Sequence, residues 1–365
     1  SETDRTPVTY ADMECRLQDI HMQAIEELES LAPYGEGNPP PLFVVRGLQV
    51  IKKMTMGKDR QHLKLVVRDA RSGSGEAMEA LLFGGGALED LISSTASLDL
   101  LAETGINEWN GRRTPQLLVR DVRIASRQLL DWRTSSDNIT RWTQALNYVQ
   151  STMPAEWKPL LLLSSEEQLE SVPKPLQCGS PWVYEENGIV PLHDRDDLAW
   201  ITDLFMFAPP PSIGAWQAIA QQMPKVERIY VMHGSSYNDA ENWEPNRDMF
   251  VRVYAGLRKI KKWAREDESI INQLADYVKT PPSAVRFCIQ VFKELQFVKE
   301  SGPHDEYVVS PAKKPLDSSI LYQKKLQKAQ MNRIWHFSSE QELAQKLLAG
   351  AFGQAEIIHR MEEIG

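Results

Sequence analysis

The sequence has little of what marks exported, disulfide-linked or membrane proteins. It has three cysteines among 365 residues, and Cys15, Cys178 and Cys288 lie far apart without CxxC spacing. An odd, scattered set fits reduced thiols better than a disulfide or zinc framework. No apolar run approaches the ~20 residues of a membrane span, and the first residues show no basic-then-apolar export signal. These absences predict a cytoplasmic protein without membrane contact.

Motifs of common catalytic and nucleotide-binding sites are also missing. No GxGxxG or GxxxxGK[ST] follows a strand-like segment, and there is no GxSxG, HExxH or CxxC. The loop LHDRDD at 192–197 groups possible metal ligands, but metal sites usually draw their ligands from several elements. The glycines at 84–86 indicate a bend before a helix rather than a phosphate cradle. We predict no catalytic residue and no metal ligand in this chain.

The length and the charge pattern both indicate several modules. At roughly 150 residues per domain, the chain is long enough for two or three domains. The net charge of −9 divides into −7 for residues 1–38, +2 for 39–125, −8 for 126–246 and +4 for 247–365. Acidic and mildly basic segments therefore alternate along the chain.

Residues 10–32 predict one amphipathic helix that stops at Pro33. Its apolar positions, which recur at helical spacing, are Leu17, Ile20, Ala24 and Leu28. The stripe needs a partner, which is either the next module or the missing remainder of a preceding domain. The following APYGEGNPPP at 32–41 predicts a stiff joint, because prolines restrict the backbone and glycines permit sharp turns.

Residues 39–125 change to the period-two alternation of short strands. Five strand-like segments are separated by a turn at 57–60, a loop at 71–76 and a polar loop at 110–115, with a short helix at 87–94. This is the element order of an OB-fold barrel, whose face and loops commonly bind single strands.

The remaining chain predicts two further folds. Residues 126–246 alternate strands with helices, which indicates a parallel sheet, and Ser212 is expected to begin the helix at 212–223. Residues 247–312 predict three helices followed by a hairpin, which is a winged-helix order. Residues 313–365 predict a helical tail. The fold class is thus multidomain α+β: an OB-fold β-barrel, an α/β parallel-sheet domain and a winged-helix-like domain with its tail.

Basic and aromatic side chains of the barrel are the first candidates for nucleic-acid contact. Basic groups would neutralise phosphates, and Trp109 would stack on bases. A solvated barrel surface with a packed tryptophan explains the same residues. The candidates are Lys52, Lys53, Lys58, Arg60, His62, Lys64, Trp109, Asn110, Arg112 and Arg113.

The third winged helix offers a second candidate surface. Arg286, Gln290 and Lys293 lie opposite the expected core positions of that helix, where a DNA-reading domain would face the major groove. An ordinary polar helix face or a protein-docking surface is the simpler explanation.

The residues at both ends carry a resemblance to a known family. LAPYGEGNPPPLFVVRGLQV at 31–50 resembles the LxPFGxGNPxPxF signature of RecJ-type single-strand exonucleases, with Tyr34 where Phe is usual. GKDRQHLKLVV, the Phe-Gly at 83–84 and INEWNGRRTPQLLVRDV continue the match through the barrel. VYAGLRKIKKW, FCIQVFKELQFV and VVSPAKKPLDSSILYQKKLQKAQ are similar to the extra C-terminal domain of Gram-positive-type RecJ.

This resemblance implies a function for the parent enzyme and a limit for this chain. The family hydrolyses single-stranded DNA 5′→3′ with Mg or Mn, in DNA repair and recombination, alongside single-strand-binding protein and RecQ-type helicases. Its Asp-His-His and Gly-Gly-His motifs do not occur here, so we expect the non-catalytic C-terminal half of such an enzyme, inactive by itself. The expected domains are 1–38, the end of a DHH-associated domain with a rigid joint; 39–125, the OB fold; 126–246, the α/β domain; 247–312, the winged-helix-like domain; and 313–365, the tail.

Two other functions remain open at this point. The chain would be a protein-interaction scaffold if the barrel hardly bound DNA. It would be a winged-helix regulator if it preferred duplex to single-stranded DNA.

Overall fold

The computed structural model places β-rich and helical elements in two compact units. The first unit comprises Ser1–Ala208, Gln217–Gly234 and Ser339–Gly365, and the second comprises Pro209–Trp216 and Ser235–Ser338. The described residues are 10–71, 75–133, 139–152, 157–177, 179–185, 188–193, 197–232, 243–265, 267–309 and 311–352.

Strands dominate the first unit, and helices dominate the second. The strands are β1 Met13–Cys15, β2 Phe43–Met56, β3 His62–Asp69, β4 Met78–Leu82, β5 Ser97–Trp109, β6 Arg112–Ile124, β7 Gln128–Trp132, β8 Pro159–Leu163, β9 Ser180–Glu185, β10 Gly188–Pro191, β11 Asp203–Met206, β12 Arg228–Met232, β13 Lys262–Ala264, β14 Val298–Ser301 and β15 His304–Tyr307. The α-helices are α1 Met22–Glu29, α2 Ile139–Thr152, α3 Ile213–Ala220, α4 Arg247–Ile260, α5 Glu268–Val278, α6 Pro282–Glu294, α7 Ile320–Phe337 and α8 Glu340–Leu348.

Strands β2 to β6 form a closed barrel with the strand order of an OB fold. The order is β1-β2-β3-β4-β6-β5, and β2 also pairs with β5, which closes the sheet. β4 runs parallel to β6, and the other barrel pairs are antiparallel. Alternation on β3 sets the inside, because Leu63, Leu65 and Val67 are fully buried. The predicted barrel is confirmed, although its helix is a short 3-10 turn at Gly86–Asp90.

The predicted single helix over residues 10–32 is wrong. β1 instead pairs in parallel with β2, a 3-10 turn follows at Leu17–Asp19, and only α1 is α-helical. Leu17, Ile20 and Ile25 are buried in the barrel core. Leu17 and Ile20 of the predicted stripe therefore pack on the next module, whereas Ala24 and Leu28 are half-buried.

The joint at 32–41 is fastened to α1 by side-chain hydrogen bonds. Tyr34 Oη donates to the Leu28 carbonyl at 2.6 Å, and Asn38 Nδ2 donates to the Leu31 carbonyl at 3.0 Å. Gly35 and Asn38 also exchange backbone hydrogen bonds of 2.8 and 3.1 Å. The Leu28 carbonyl lies in the last turn of α1 and the Leu31 carbonyl lies just after it, so both bonds hold the joint against the end of the helix.

A second sheet in the first unit confirms the predicted parallel α/β arrangement. Its order is β10-β9-β8-β11-β12-β7, and all neighbours are parallel except β10 and β9. β7, β10 and α2 were not foreseen from the sequence. Ser212 begins α3 as expected, since its Oγ accepts from the Ala215 amide at 3.1 Å.

The barrel and this sheet are joined through Gln128 and Glu340. The buried Gln128 side chain accepts from the Ser93 amide at 2.9 Å and donates to the Leu91 carbonyl at 2.7 Å. Glu340, the first residue of α8, accepts from the Ser93 hydroxyl at 2.8 Å and from the Ser94 amide at 2.8 Å. The last described helix is therefore part of the first unit.

The second unit has helix, strand, helix, helix, strand, strand order, which is winged-helix-like. β13-β15-β14 form its sheet, and α4, α5, α6 and Tyr322 of α7 share its core. Ala264 ends β13, Tyr277 of α5 is 61% exposed, and Asp267 caps α5. Across the described part of the chain, no helix combines the length and apolarity needed to span a membrane.

Candidate nucleic-acid interface

One outward face of the barrel contains most of the candidate residues. Successive residues of a strand point to opposite sides, so His62 and Lys64 lie outside because Leu63 and Leu65 lie inside. Residues that pair directly across antiparallel strands share a side, which extends the face to the partners of β3. The face continues over β4 and β6 to β5, where Trp109 pairs with Arg112.

The turn between β2 and β3 borders this face at one end. Lys58 is exposed there, and the structure shows no ion pair between it and another described residue. Arg60 adopts a positive φ of 55°, donates to Thr55 Oγ1 at 2.9 Å and forms a salt bridge with Glu89. The turn thus carries one cation open to phosphate and one held by a carboxylate.

Phe83 adds an aromatic group that was not among the sequence candidates. Its side chain is 63% exposed, and its ring meets the His62 ring edge-on at a centroid distance of 5.2 Å. His62 Nδ1 accepts from the Gly84 amide at 3.1 Å. The histidine is therefore fixed in orientation and supports the phenylalanine. The Phe-Gly pair at 83–84, directly after a strand, was the sequence signal for an exposed aromatic, but it contributed only to the family resemblance.

The three glycines after Phe83 form a bend, as predicted. Gly84 has a φ of 78°, and a Cβ on Gly86 would lie 1.9 Å from the Arg60 carbonyl oxygen. The Gly86 amide donates to the Gln61 carbonyl at 3.0 Å. Only glycine allows this approach, which holds the β2–β3 turn against the end of β4.

The β5–β6 hairpin borders the other end of the face. The expected polar loop at 110–115 is only the two-residue turn Asn110–Gly111, with φ of 50° and 75°, and β6 begins at Arg112. Two central residues with positive φ are typical of a type I′ hairpin turn. Trp109 is 73% exposed, and Arg112 is exposed beside it.

The remaining barrel candidates divide into open and engaged cations. Lys52 is exposed, whereas Lys53 points to the inner side and donates to the Glu89 carbonyl at 2.7 Å. Lys64 pairs with Glu79 at 2.6 Å, and Arg113 pairs with Glu26 of α1 at 2.8 Å. Lys53 therefore has a structural role, and we leave it out of the proposed contact set below.

The cations on the outer face of α6 are all paired. Arg286 donates to Glu268 at 2.7 Å, and Lys293 lies 2.9 Å from Asp305 and 3.3 Å from Glu300. Gln290 is exposed between them. A neutralised face of this kind offers little attraction to phosphate.

Comparisons with known proteins bear on both units. The RecJ OB domain model matches residues 11–121, and the model of the single-strand DNA-specific exonuclease C-terminal domain matches residues 128–347, more than half of the chain. The chain belongs to the RecJ single-strand exonuclease family. It is 28% identical over 352 residues to the single-stranded-DNA-specific exonuclease RecJ of Bacillus subtilis (strain 168), covering 95% of this chain and 42% of that protein. The RecJ of Dickeya dadantii (strain 3937) is 27% identical over 115 residues, which are 32% of this chain and 19% of that protein.

Solved structures of RecJ resemble the chain more weakly. The RecJ of Thermus thermophilus in complex with Mn²⁺ matches 85% of this chain and 34% of its own, with 14% identity and a TM-score of 0.22. Its complex with Mg²⁺ gives a TM-score of 0.21 at 14% identity, over 70% of this chain and 35% of its own. Likeness at this level adds nothing to the fold established above.

Proposed function

We propose that the outward face of the barrel binds single-stranded DNA and guides it within a RecJ-type exonuclease. One observation carries the proposal: two strongly exposed aromatic rings, Phe83 and Trp109, lie on one face of an OB barrel with open cations beside them. Single exposed aromatics are common on protein surfaces, but base stacking needs exposed rings beside a basic groove, which is the combination on this face.

The two rings stand near opposite ends of that face. Phe83 is level with Arg120 of β6, because Leu82 pairs with Val119, while Trp109 is level with Arg112. Eight residues at a rise of roughly 3.3 Å separate these levels by about 26 Å. A row of this length fits the roughly 4 to 16 nucleotides that one OB fold covers.

The proposed contact set combines stacking with phosphate neutralisation. Phe83 and Trp109 would stack on bases, and the open cations Lys52, Lys58 and Arg112 would neutralise phosphates. His62 and Asn110 would position the aromatic and the hairpin. Arg60, Lys64 and Arg113 would reach a phosphate only after leaving Glu89, Glu79 and Glu26 respectively.

Fluorescence anisotropy with a labelled oligo-dT at low and moderate salt tests the proposal. Phe83→Ala and Trp109→Ala should each weaken binding by about 1–3 kcal/mol, which is roughly 5- to 150-fold. Trp200→Ala is the matched control, because Trp200 is 58% exposed in the same unit but outside the barrel. Equal affinities for all three variants, or no binding at either salt, would refute the proposal and favour the scaffold function.

We also propose that this chain guides the strand without hydrolysing it. The sequence contains neither Asp-His-His nor Gly-Gly-His. The described residues, which leave out positions 194–196 of the loop LHDRDD, contain no group of three or more His, Cys, Asp or Glu side chains placed to hold a metal ion. The described residues therefore offer no fitting ligand set for the Mg or Mn of the family, and the proposed strand contacts do not involve a metal. Digestion of oligo-dT by the purified chain with Mn²⁺ would contradict the proposal.

Protein docking is the role we propose for the C-terminal domain. The chain would act in the cytoplasm during DNA repair and recombination, with single-strand-binding protein and a RecQ-type helicase as partners. The pairing of Arg286 and Lys293 supports docking over duplex reading by α6. Calorimetric titration of the chain with each purified partner tests this, and absence of heat with both would contradict it.

A further inference from the structure

A paired set of cations in the second unit lies beside carboxylates, and each member is within 3.6 Å of a carboxylate oxygen. Its members are Arg252 with Asp248, Arg265 with Glu300 and Asp305, Arg286 with Glu268, Lys293 with Asp305 and Glu300, and Lys299 with Glu306.

One cluster of unpaired cations lies where the C-terminal ends of α4 and α5 meet. Lys259 Nζ lies 5.5 Å from the centroid of the Tyr277 ring, and this contact joins the two helices. Every other member is within two residues of that contact. We name the set the α4–α5 basic corner: Arg258, Lys259, Lys261, Tyr277 and Lys279, all exposed.

None of its four cations forms an ion pair with another described residue. Asp276 precedes Tyr277 in sequence and is exposed, but no bridge joins it to Lys259 or Lys279 in the described structure. Other cations of the second unit are also exposed without an ion pair to a described residue, namely Arg247, Lys262, Lys313, Lys328 and Arg333. The corner differs because its four positive charges lie around one contact, which concentrates the local potential.

Two of these lysines occupy backbone conformations that ordinary residues avoid. Lys261 ends α4 with a φ of 68°, and Lys279 ends α5 with a φ of 57°. Helix ends of this kind favour glycine or asparagine, since a Cβ is strained at positive φ. A charge near a helix C-terminus is favourable, yet Arg258 and Lys259 already supply it at α4 without strain. Strained positions filled by long cations indicate a function that needs those cations.

Tyr277 gives the corner an aromatic surface. It is 61% exposed on α5, while its neighbours Leu274 and Val278 are buried. A ring that is exposed and flanked by cations is the combination that binds a single strand, through stacking and phosphate contacts.

We propose that the α4–α5 basic corner is a second contact site for single-stranded nucleic acid, separate from the barrel face. Lys259, Lys261 and Lys279 bind backbone phosphates, and Tyr277 stacks on a base. The proposal goes beyond the barrel function and stands or falls independently of it.

The first test exchanges the strained lysines for the residue that their backbone prefers. The Lys261→Gly/Lys279→Gly variant of the full chain should keep or raise its melting temperature, because the strain is relieved. It should bind a dT 40-mer more weakly, because two phosphate contacts are lost. At ~0.7 of salt slope per single-strand contact, the slope should fall by about 1.4, which is roughly 25-fold weaker binding at 0.1 M salt.

A charge-matched control separates a specific site from a general loss of positive charge. Arg252→Ala/Lys299→Ala removes the same two charges from paired positions, and its salt slope should stay at the value of the unmodified chain. An equal loss in this control would overturn the proposal, as would an unchanged slope in the glycine variant. Lower stability in the glycine variant would instead assign these lysines to helix capping and would also overturn it.

A residue-level measurement distinguishes this site from the barrel. Ultraviolet crosslinking to a 5-iododeoxyuridine-substituted dT 40-mer, followed by peptide mapping, should label Tyr277 in the unmodified chain and in Trp109→Ala. Crosslinks confined to the barrel would refute the corner while leaving the barrel proposal intact. Crosslinks at Tyr277 alone would do the reverse. Tighter binding of a 40-base-pair duplex than of the dT 40-mer would overturn the single-strand assignment.

Discussion

Gly86→Ala should open the end of the barrel that borders the proposed binding face. The added Cβ would lie 1.9 Å from the Arg60 carbonyl oxygen and 2.9 Å from its carbon. Both atoms belong to the backbone of the β2–β3 turn, so no side chain can rotate away. The turn and the Gly86 segment must separate by about 1 Å or more to reach an ordinary contact.

The expected loss combines overpacking with a broken hydrogen bond. Overpacking of a well-packed site costs about 1–3 kcal/mol. The 3.0 Å bond from the Gly86 amide to the Gln61 carbonyl contributes about 0.5–1.5 kcal/mol. Together they give roughly 2–4 kcal/mol in the local free energy of opening. Because one factor of ten corresponds to about 1.36 kcal/mol, amide exchange should accelerate about 30- to 900-fold.

Hydrogen–deuterium exchange of β2 and β3 peptides in the full chain measures this opening, since exchange reports local stability. Two glycine controls separate the causes. Gly84→Ala has positive φ but no atom within 4 Å, so strain alone should cost about 1–2 kcal/mol. Gly35→Ala has neither a positive φ nor an atom within 4 Å. It should leave the local stability unchanged or raise it by up to about 1 kcal/mol, so exchange should be unchanged or slower. Equal acceleration in Gly86→Ala and Gly84→Ala would refute the close approach.

Two further predictions concern buried or half-buried groups of the first unit. Asp203 is fully buried and accepts from Arg228 at 2.6 and 2.9 Å, so Asp203→Asn should destabilise the α/β sheet by about 3–5 kcal/mol in urea unfolding. The control Glu227→Gln, whose exposed contact with Arg228 is 3.6 Å, should change the free energy of unfolding by less than about 1 kcal/mol. Equal effects of the two substitutions would contradict the reasoning. Burial, together with Asp19 and Glu14, raises the pKa of the Cys15 thiol from 9.0 to about 11. Alkylation of Cys15 at pH 8 should therefore be roughly 100-fold slower than in the urea-unfolded chain, as followed by peptide mass spectrometry, and similar rates in both states would contradict the shift.

Strand alternation was readable from the sequence because it reports directly which side chains face the barrel core. It predicted the strands of the OB barrel and the alternation of β3. Helical spacing misled over residues 10–32, where Leu17, Ile20, Ala24 and Leu28 fit one helix. What decides the local structure there is pairing of β1 with β2, a contact between segments about thirty residues apart. Patterns within one short segment do not contain that information.

The candidate site shows a similar division between local and distant causes. Trp109, Asn110 and Arg112 were found because a polar, basic loop beside a tryptophan is a local feature of the sequence. Phe83 was missed because its exposure depends on support from His62, twenty-one positions earlier, through a ring contact and the Gly84 amide. Lys53 was included because Lys52 and Lys53 both flank the first hairpin, although the pleat turns the two to opposite sides. Strict alternation from Leu48 and Val50 would have placed Lys52 inside, and only the register shift between Val50 and Lys52 turns Lys53 inward.

The paired cations of the barrel face must leave a carboxylate before they can bind a phosphate, and the open cations need not. Exposed salt bridges contribute only about 0–1 kcal/mol, so the carboxylates on Arg60, Lys64 and Arg113 do not prevent these cations from turning to a strand. Each exchange nevertheless swaps one anion for another and leaves a carboxylate unpaired beside the DNA. Binding of a cation to a phosphate releases counterions from the DNA. A cation that is already neutralised by a carboxylate adds less net positive charge, so it contributes less to the salt dependence of binding than an open one. Under the proposed function, Lys58 and Arg112 at the two ends of the face would therefore set the electrostatic register of the strand, and Phe83 and Trp109 would hold its bases between them.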